Sequence, residues 1–139
     1  MIAYTDGSAH PNPGPGGYGV VLLDDNENLI TTFNRHKEKT TNNEMELAAI
    51  ICAASFAKHY NKPLTIYCDS AYAIGCLSNW MYSWERNGWI KSDNKIPENL
   101  ELIKYFYENH KDDNITFIKV KGHTGNKWNE MADKLATSA

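Results

Sequence analysis

The chain has 139 residues, a formal net charge of −3 and a hydrophobic content of 42%. This length fits a single domain, residues 1–139, that buries its own core. A mildly acidic chain argues against a protein that coats nucleic acid, because such binding needs Lys and Arg side chains against the phosphates. A local basic face beside an acidic site remains compatible with this charge.

Cysteine usage and hydropathy indicate the compartment. Cys52, Cys68 and Cys76 form no CxxC pair and lie in apolar segments, so we expect free thiols in a reducing environment. The first predicted strand begins directly after Met1, which leaves no room for a signal peptide. No apolar run approaches the roughly 18 residues that a membrane span needs. We therefore expect a cytoplasmic protein with no membrane association.

The first part of the chain predicts strands and then a helix. Strands are expected at 1–6, 19–23 and 29–33, and their short links favour an antiparallel meander. Residues 43–58 carry apolar side chains almost all round, which predicts a buried helix. Its N-terminus offers two alternatives: Thr41 with Glu44 fits a capping box, or Asn43 is the N-cap and Glu46 the third helical residue.

The second part alternates strands with helices. Strands are expected at 64–69 and 115–120, and helices at 70–79, 80–87, from Pro97 to about His110, and at 126–138. A strand, a long helix and another strand suggest a parallel crossover. The complete order predicts an α/β protein with a mixed sheet and helices on its faces.

The glycine-rich segment Gly14–Gly19 matches the GxGxxG pattern of dinucleotide-binding proteins. That pattern should open a helix whose N-terminus faces the pyrophosphate. Here it leads into the apolar run 20–23, which predicts a strand, and we reject a nucleotide cofactor. We expect a Gly-Pro loop between two strands, whose backbone amides are also able to approach a phosphate closely.

Four acidic residues stand where a carboxylate has little structural use. Asp6 and Asp69 end predicted strands, Glu46 lies in the first turns of an apolar helix, and Asp133 lies on a late amphipathic helix. Each also has an ordinary explanation as a turn residue, a helix cap or a solvated face. If they converge, their charges repel unless cations are present, and carboxylate oxygens are the ligands that hard divalent cations prefer. The pattern therefore predicts a metal-dependent phosphoryl-transfer site.

Two further features suit such a site. His123 lies between glycines after a predicted strand, where a mobile imidazole is able to carry protons near neutral pH. Trp80 and Trp84 share a helical face near basic residues, which is typical of a surface that packs on sugars and bases. A polar loop residue and a satellite hydrophobic cluster are the plainer alternatives.

Together these motifs resemble the type 1 ribonuclease H family over essentially the whole chain. The matching stretches are Tyr4–Ser8, Asn12–Gly19, Thr40–Asn43 leading to Met45–Leu47, Asp69-Ser70 with Tyr72, Val120–His123, and Asn129-Glu130 with Ala132-Asp133. Several independent motifs in the right order make a chance likeness very improbable. The resemblance implies a ribonuclease H-like fold with a five-stranded mixed sheet in order 3-2-1-4-5 and strands 1–3 antiparallel.

The resemblance also implies a function. It predicts an endonuclease that hydrolyses the RNA strand of an RNA–DNA hybrid and leaves 5′-phosphate and 3′-hydroxyl ends. Two Mg²⁺ ions, with Mn²⁺ as a substitute, would be bound by the four acids, and a monomer is expected. Catalytic residues would be Asp6, Glu46, Asp69, His123 and Asp133, with His123 assisting proton transfer or product release.

Substrate contacts are implied in the same way. Asn12, Gly14 and Asn42 would contact the minor groove of the hybrid, Thr41 and Asn99 a DNA phosphate, and Trp80 the DNA sugars. Two alternatives remain open: a catalytically weak hybrid-binding module, and another nuclease of the same fold. The intact set of acids disfavours the first, and the groove residues disfavour the second.

Overall fold

A mixed five-stranded sheet forms the centre of the protein, whose computed structural model describes residues 1–121 and 126–139. The strand order is β3-β2-β1-β4-β5, which confirms the expected topology. Neighbouring pairs among β1, β2 and β3 are antiparallel, and β4 and β5 continue the sheet in parallel with β1. The strands are β1 (Ile2–Ala9), β2 (Gly14–Leu23), β3 (Leu29–Thr40), β4 (Leu64–Cys68) and β5 (Ile115–Lys119).

Helices cover both faces of this sheet. They are α1 (Asn42–His59), α2 (Ala71–Gly75), α3 (Met81–Arg86), α4 (Leu100–His110) and α5 (Lys127–Ser138). A π-helical turn, Cys76–Trp80, joins α2 to α3. Across residues 1–121 and 126–139, none of the helices combines the length and the apolarity that crossing a bilayer requires.

Helix α1 is apolar nearly all round because it is covered on two sides. It packs on β1 and β2 with one side and on α4 with the other. Leu47 and Ile50 are fully buried, and each such side chain contributes about 1.5–3 kcal/mol relative to an exposed one. Thr41 is the N-cap, since its hydroxyl accepts a hydrogen bond from the Glu44 N–H (3.1 Å). Glu46 is therefore not needed for capping.

Helix α5 covers the opposite face of the sheet. Tyr4, Val21 and Leu23 of the sheet form a buried cluster with Ala132 of this helix. A Cβ on Gly19 would lie 2.4 Å from the Ala132 carbonyl oxygen, so only glycine permits this approach of helix to strand. The glycines of the GxGxxG pattern thus lie in β2 and not in the expected loop, because close packing, and not a turn, requires them.

Strand β3 is longer than the sequence pattern predicts. It continues to Thr40 instead of ending near residue 33, and its second half pairs with β2 from Asn34 to Thr40. An edge strand has one unpaired side and little buried surface, so charged residues such as Arg35 and Lys37 are compatible with it. Because these residues are polar, a prediction based on hydrophobicity does not detect the second half of the strand.

Two element boundaries also differ from expectation. Strand β1 does not end at Asp6 but continues to Ala9 along β2, while its pairing with β4 covers only Ile2–Tyr4. Helix α4 begins at Leu100 and not at Pro97. Asn99 intervenes in the left-handed conformation (φ 58°), which interrupts a helix at that point.

The contact between β1 and α1 depends on Gly7. A Cβ at this position would lie 2.3 Å from the Met45 carbonyl carbon and 2.4 Å from the Glu46 nitrogen. Both atoms are backbone atoms in the first turns of α1, so they cannot move without moving the helix. Gly7 therefore sets the distance between Asp6 and Glu46.

We expect Gly7→Ala to lower the free energy of unfolding by about 3 kcal/mol, the upper end of the usual cost of overpacking because the atoms that clash are backbone atoms, as measured by urea denaturation. Gly88→Ala is the matched control, because φ there is +71° but no atom lies within 4 Å of the added Cβ. That control carries only the left-handed backbone penalty of about 1–2 kcal/mol. Equal losses in both variants would contradict a tight β1–α1 contact.

Candidate active site

Three carboxylates converge where the inner strands β1 and β4 separate. Oxygen atoms of Asp6, Glu46 and Asp69, one from each side chain, all lie within 4.8 Å of one another. Two like charges at such a separation repel by about 3 kcal/mol if the effective dielectric constant is about 20. A fold that holds them together without compensation loses stability.

The sheet places two of these acids directly. β1 and β4 are parallel and paired at Tyr4 and Tyr67, after which β1 separates from β4. Asp6 follows Tyr4 by two residues and Asp69 follows Tyr67 by two residues. The acids therefore occupy equivalent positions beyond the last paired residues, where parallel strands commonly form ligand sites. The Tyr4 and Tyr67 rings stack beneath them at 4.8 Å between centroids.

Helices α1 and α5 add the other two acids. Glu46 comes from the first turns of α1, over Gly7. Asp133 comes from α5, one residue after Ala132, whose carbonyl lies over Gly19, and Gly19 is the register partner of Asp6. All four acids line one cavity of about 310 Å³, together with Gly7, Ser8, Asn42, Asn43, Ser70, Asn129 and Glu130.

The electrostatics of the cavity favour protonation or cation binding. Burial raises the pKa of Glu46, and the neighbouring charges of Asp6 and Asp69 raise this pKa further. Burial is also the largest cause of the raised pKa of Asp6, followed by its contacts with Asp133 and the Asp69 charge. Both shifts have the sign expected for crowded carboxylates that lack a counter-charge.

A buried Glu46 oxygen that lacks a hydrogen-bond partner among the described residues also favours cation binding in this cavity. Glu46 is only 7% exposed, and its Oε2 atom has no hydrogen-bond partner within the part of the chain that the structure describes. An orphaned buried carboxylate oxygen is costly unless something else binds it. The possible metal ligands around it are carboxylate oxygens, which suit a hard divalent cation such as Mg²⁺ or Mn²⁺. The site therefore fits a divalent metal.

Sequence reasoning missed several residues that line this cavity. Asn129 is buried at 9% exposure and lies one helical turn before Asp133 on α5, so its spacing to Asp133 was an available signal. Glu130 adds a fifth carboxylate to the lining. Ser70 also caps α2 by accepting from the Ala73 N–H (3.0 Å).

Asn12 and Asn42, both expected to contact substrate, lie together. The Asn42 N–H donates to Asn12 Oδ1 (3.1 Å), and Asn42 Oδ1 accepts from the Ala9 N–H (2.7 Å). The side-chain carbonyl oxygens of both residues thus accept hydrogen bonds within the protein, and their side-chain NH₂ groups are the parts available to a ligand. Gly14 begins β2 a short distance along the chain.

The remaining expected substrate residues lie outside the carboxylate cavity. Thr41 caps α1, and Asn99 precedes α4 and donates from Nδ2 to the Tyr72 hydroxyl (3.1 Å). Trp80 ends the π-helical turn and is 42% exposed, with its ring against Gly75. His123 lies outside the described residues, so its predicted role stays a prediction.

Comparison with known proteins gives the family. The family model described as "RNase H" matches residues 1–139. A "Ribonuclease H" of Thermoanaerobacter sp. strain X514 is 42% identical over 135 residues, which cover 96% of this chain and 85% of that protein. The chain belongs to the RNase H family and is accordingly an endonuclease.

Solved structures agree with the fold. The solution structure of the RNase H domain of PFV (prototype foamy virus) matches with a TM-score of 0.83 at 25% identity, covering 99% of this chain and 92% of that one. A crystal structure of LC11-RNase H1, which contains an RNA/DNA hybrid, matches with a TM-score of 0.71 at 25% identity, covering 99% and 94%.

We expect Asp6→Asn to stabilise the metal-free protein by about 1–2 kcal/mol at pH 7.5, because it removes one crowded charge. Asp6 ionises near pH 4 in the unfolded chain but holds its proton to higher pH in the folded one. The wild type therefore loses stability as pH rises above about 4, and the advantage of the variant grows over the same range. Urea denaturation in EDTA at pH 4 and pH 7.5 measures this difference.

Asp24→Asn is the control of opposite sign. The N–H groups of Asn28 and Asn26 hold the pKa of Asp24 below its usual range, so its ionised form stabilises the folded state. We expect this variant to lose stability at pH 7.5 and to approach the wild type as the solution is acidified. A less stable Asp6→Asn protein at pH 7.5 in EDTA would contradict a preformed cluster of repelling charges.

Proposed function

We propose that this protein hydrolyses the RNA strand of RNA–DNA hybrids and leaves 5′-phosphate and 3′-hydroxyl ends. It acts as a single catalytic domain, residues 1–139, and as a cytoplasmic monomer. Family membership and the hybrid bound to LC11-RNase H1 support this substrate. The observation that carries the proposal is the convergence of carboxylates from four separate elements on one cavity, with a buried Glu46 oxygen that lacks a partner.

The metal ligands in this proposal are Asp6, Glu46, Asp69 and Asp133, which would hold two Mg²⁺ ions, with Mn²⁺ as a substitute. Bound divalent cations supply the Lewis acidity that activates an attacking water and stabilises the departing 3′ oxygen. Glu46 is the most buried of the four and fixes the innermost position. Asp6 is held by a hydrogen bond from the Gly7 N–H (2.9 Å), which limits its rotation.

Recognition of RNA relies on groups that contact the 2′-hydroxyl, the feature that distinguishes RNA from DNA. The amide groups of Asn12 and Asn42 are suited to this task, since their carbonyl oxygens are already engaged and their NH₂ groups remain as donors. Asn42 also lines the carboxylate cavity, which links the groove contact to the reacting phosphate. Gly14 lies at the start of β2 beside them and allows the strand to approach the groove.

The DNA strand would be held on the other side of the α1 N-terminus. Thr41 and Asn99 are proposed to contact a DNA phosphate, and Trp80 to pack on DNA sugars. The exposed Trp80 ring, 6.3 Å from the Trp84 ring, is compatible with stacking on a sugar or a base. His123 is proposed to assist proton transfer or product release, a role implied by family likeness alone.

Two other functions use the same fold. A catalytically weak hybrid-binding module needs no clustered acids, and the four acids that line one cavity therefore disfavour it. A nuclease that acts on another substrate would share the metal site, and only the nucleic acid that it cleaves distinguishes the two. The choice of substrate is thus the decisive measurement.

We expect cleavage of the RNA strand of a labelled hybrid with Mg²⁺, and none with EDTA, double-stranded RNA or duplex DNA. Asp69→Asn should lower the rate by more than about 100-fold, the upper range for removing an outer-shell partner of a metal ligand. Asp93→Asn is the control, because Asp93 lies in an exposed turn where it accepts from the Lys95 N–H. Cleavage of duplex DNA at a similar rate, or undiminished activity in EDTA, would refute the proposal.

A further inference from the structure

The side chain of Glu44 stands between two cavities at the N-terminus of α1. One cavity, of about 220 Å³, contains Asn99 and is lined by Glu44, Asn99, Leu100, Glu101 and Leu102. The other, of about 270 Å³, is lined on one side by the basic part of β3 and comprises Tyr18, Arg35, His36, Lys37, Glu44, Met45, Ala48 and Leu102. Glu44 and Leu102 line both cavities, and Glu44 is the charged residue that lies between the basic residues of β3 and Asn99.

The Glu44 carboxylate is held at this boundary by two side chains from β3. Its Oε2 atom accepts a hydrogen bond from Lys37 Nζ, and its Oε1 atom accepts one from the Thr40 hydroxyl (2.9 Å). The Glu44 side chain is 23% exposed and that of Lys37 is 52% exposed. The positive charge of Lys37 is thus neutralised within the protein, although the side chain is open to solvent.

This arrangement is unfavourable for a phosphate beside Asn99. The residues that line the Asn99 cavity include two carboxylates, Glu44 and Glu101, and neither Lys nor Arg. The N-terminus of a helix normally attracts anions, but Glu44 in the first turn of α1 and Glu101 in the first turn of α4 already interact with those partial positive charges. An anion that enters the cavity meets repulsion instead of a counter-charge.

We propose that Glu44 limits the affinity of this protein for nucleic acid by repelling the phosphate backbone of the DNA strand and by holding Lys37 away from it. This inference rests on the proposed binding of RNA–DNA hybrids and deepens it. Neutralising Glu44 removes the repulsion and frees Lys37, so that one additional phosphate contact forms.

The test is a titration of a fluorescently labelled hybrid at several salt concentrations, with Asp69→Asn in every protein to prevent cleavage. Glu44→Gln keeps the size and the hydrogen-bonding oxygen of the side chain but removes its charge. We expect its Kd to fall by about 3–10-fold at low salt, and the slope of log K against log salt to steepen by about 0.9, the value for one more phosphate contact. The fall in Kd should shrink as salt rises.

A double-mutant cycle assigns the gain to Lys37. Lys37→Gln alone should raise Kd, because it leaves the Glu44 carboxylate beside the Asn99 cavity without its counter-charge, whereas Lys37→Gln added to Glu44→Gln should cancel the steeper slope. Glu38→Gln is the matched control, since Glu38 lies on the same strand, is 85% exposed and pairs with His36. In the cleavage-competent background, Glu44→Gln should lower KM more than it changes kcat.

The outcomes separate this inference from the proposed function. If the unmodified protein binds and cleaves the hybrid but Glu44→Gln has an unchanged or higher Kd, only this inference is overturned and the proposed function stands. An equal gain for Glu38→Gln also overturns it, because net charge would then explain the effect. Absence of hybrid binding and cleavage by the unmodified protein overturns the proposed function and this inference with it. Melting temperatures of the variants test whether a change in Kd comes from loss of folding. Glu44→Ala, which also lacks the carboxylate, is a second variant in which the fall in Kd should appear.

Discussion

Repulsion among the carboxylates that meet where β1 and β4 separate is the constraint on which the rest of the structure depends. Asp6, Glu46 and Asp69 bring oxygen atoms within 4.8 Å of one another, and Glu46 is almost completely buried. Such a cluster is stable only if a rigid frame holds it. The buried core formed by α1, α4 and one face of the sheet supplies this frame, because the first turns of α1 cannot withdraw without exposing Leu47 and Ile50.

Glycines determine how closely the helices bring their acids to the sheet. Gly7 allows the backbone of α1 to reach β1 on one face, and Gly19 allows α5 to reach β2 on the other. Asp6 lies between these two approaches, because it precedes Gly7 along β1 and pairs with Gly19 across the ladder. The same geometry that crowds the acids also makes them converge on a single cavity, which is what the proposed site for two divalent cations requires.

Charge is distributed unevenly outside this cavity. The basic residues of β3 lie on an exposed edge strand, where positive charge also discourages pairing with other chains. One of them, Lys37, is neutralised by Glu44 at the point where the strand meets α1. A chain with a net charge of −3 thus places part of its limited positive charge within an internal ion pair, beside the surface where a nucleic acid would lie.

The sequence alone determined the element order, the buried nature of α1 and the identity of the four acids, because these follow from local hydrophobic patterns and from motifs short enough to recognise. It did not determine the full length of β3, the left-handed Asn99 before α4, or the packing role of the glycines in β2, whose pattern predicts a loop. Those features depend on neighbours distant in the chain: an edge strand tolerates polar residues, and a glycine is required wherever another backbone approaches. Only the tertiary structure decided that Ser70 and Asn42 join the cavity of the four acids and that Glu44 lies between Lys37 and Asn99, because no local pattern encodes which side chains meet across separate elements.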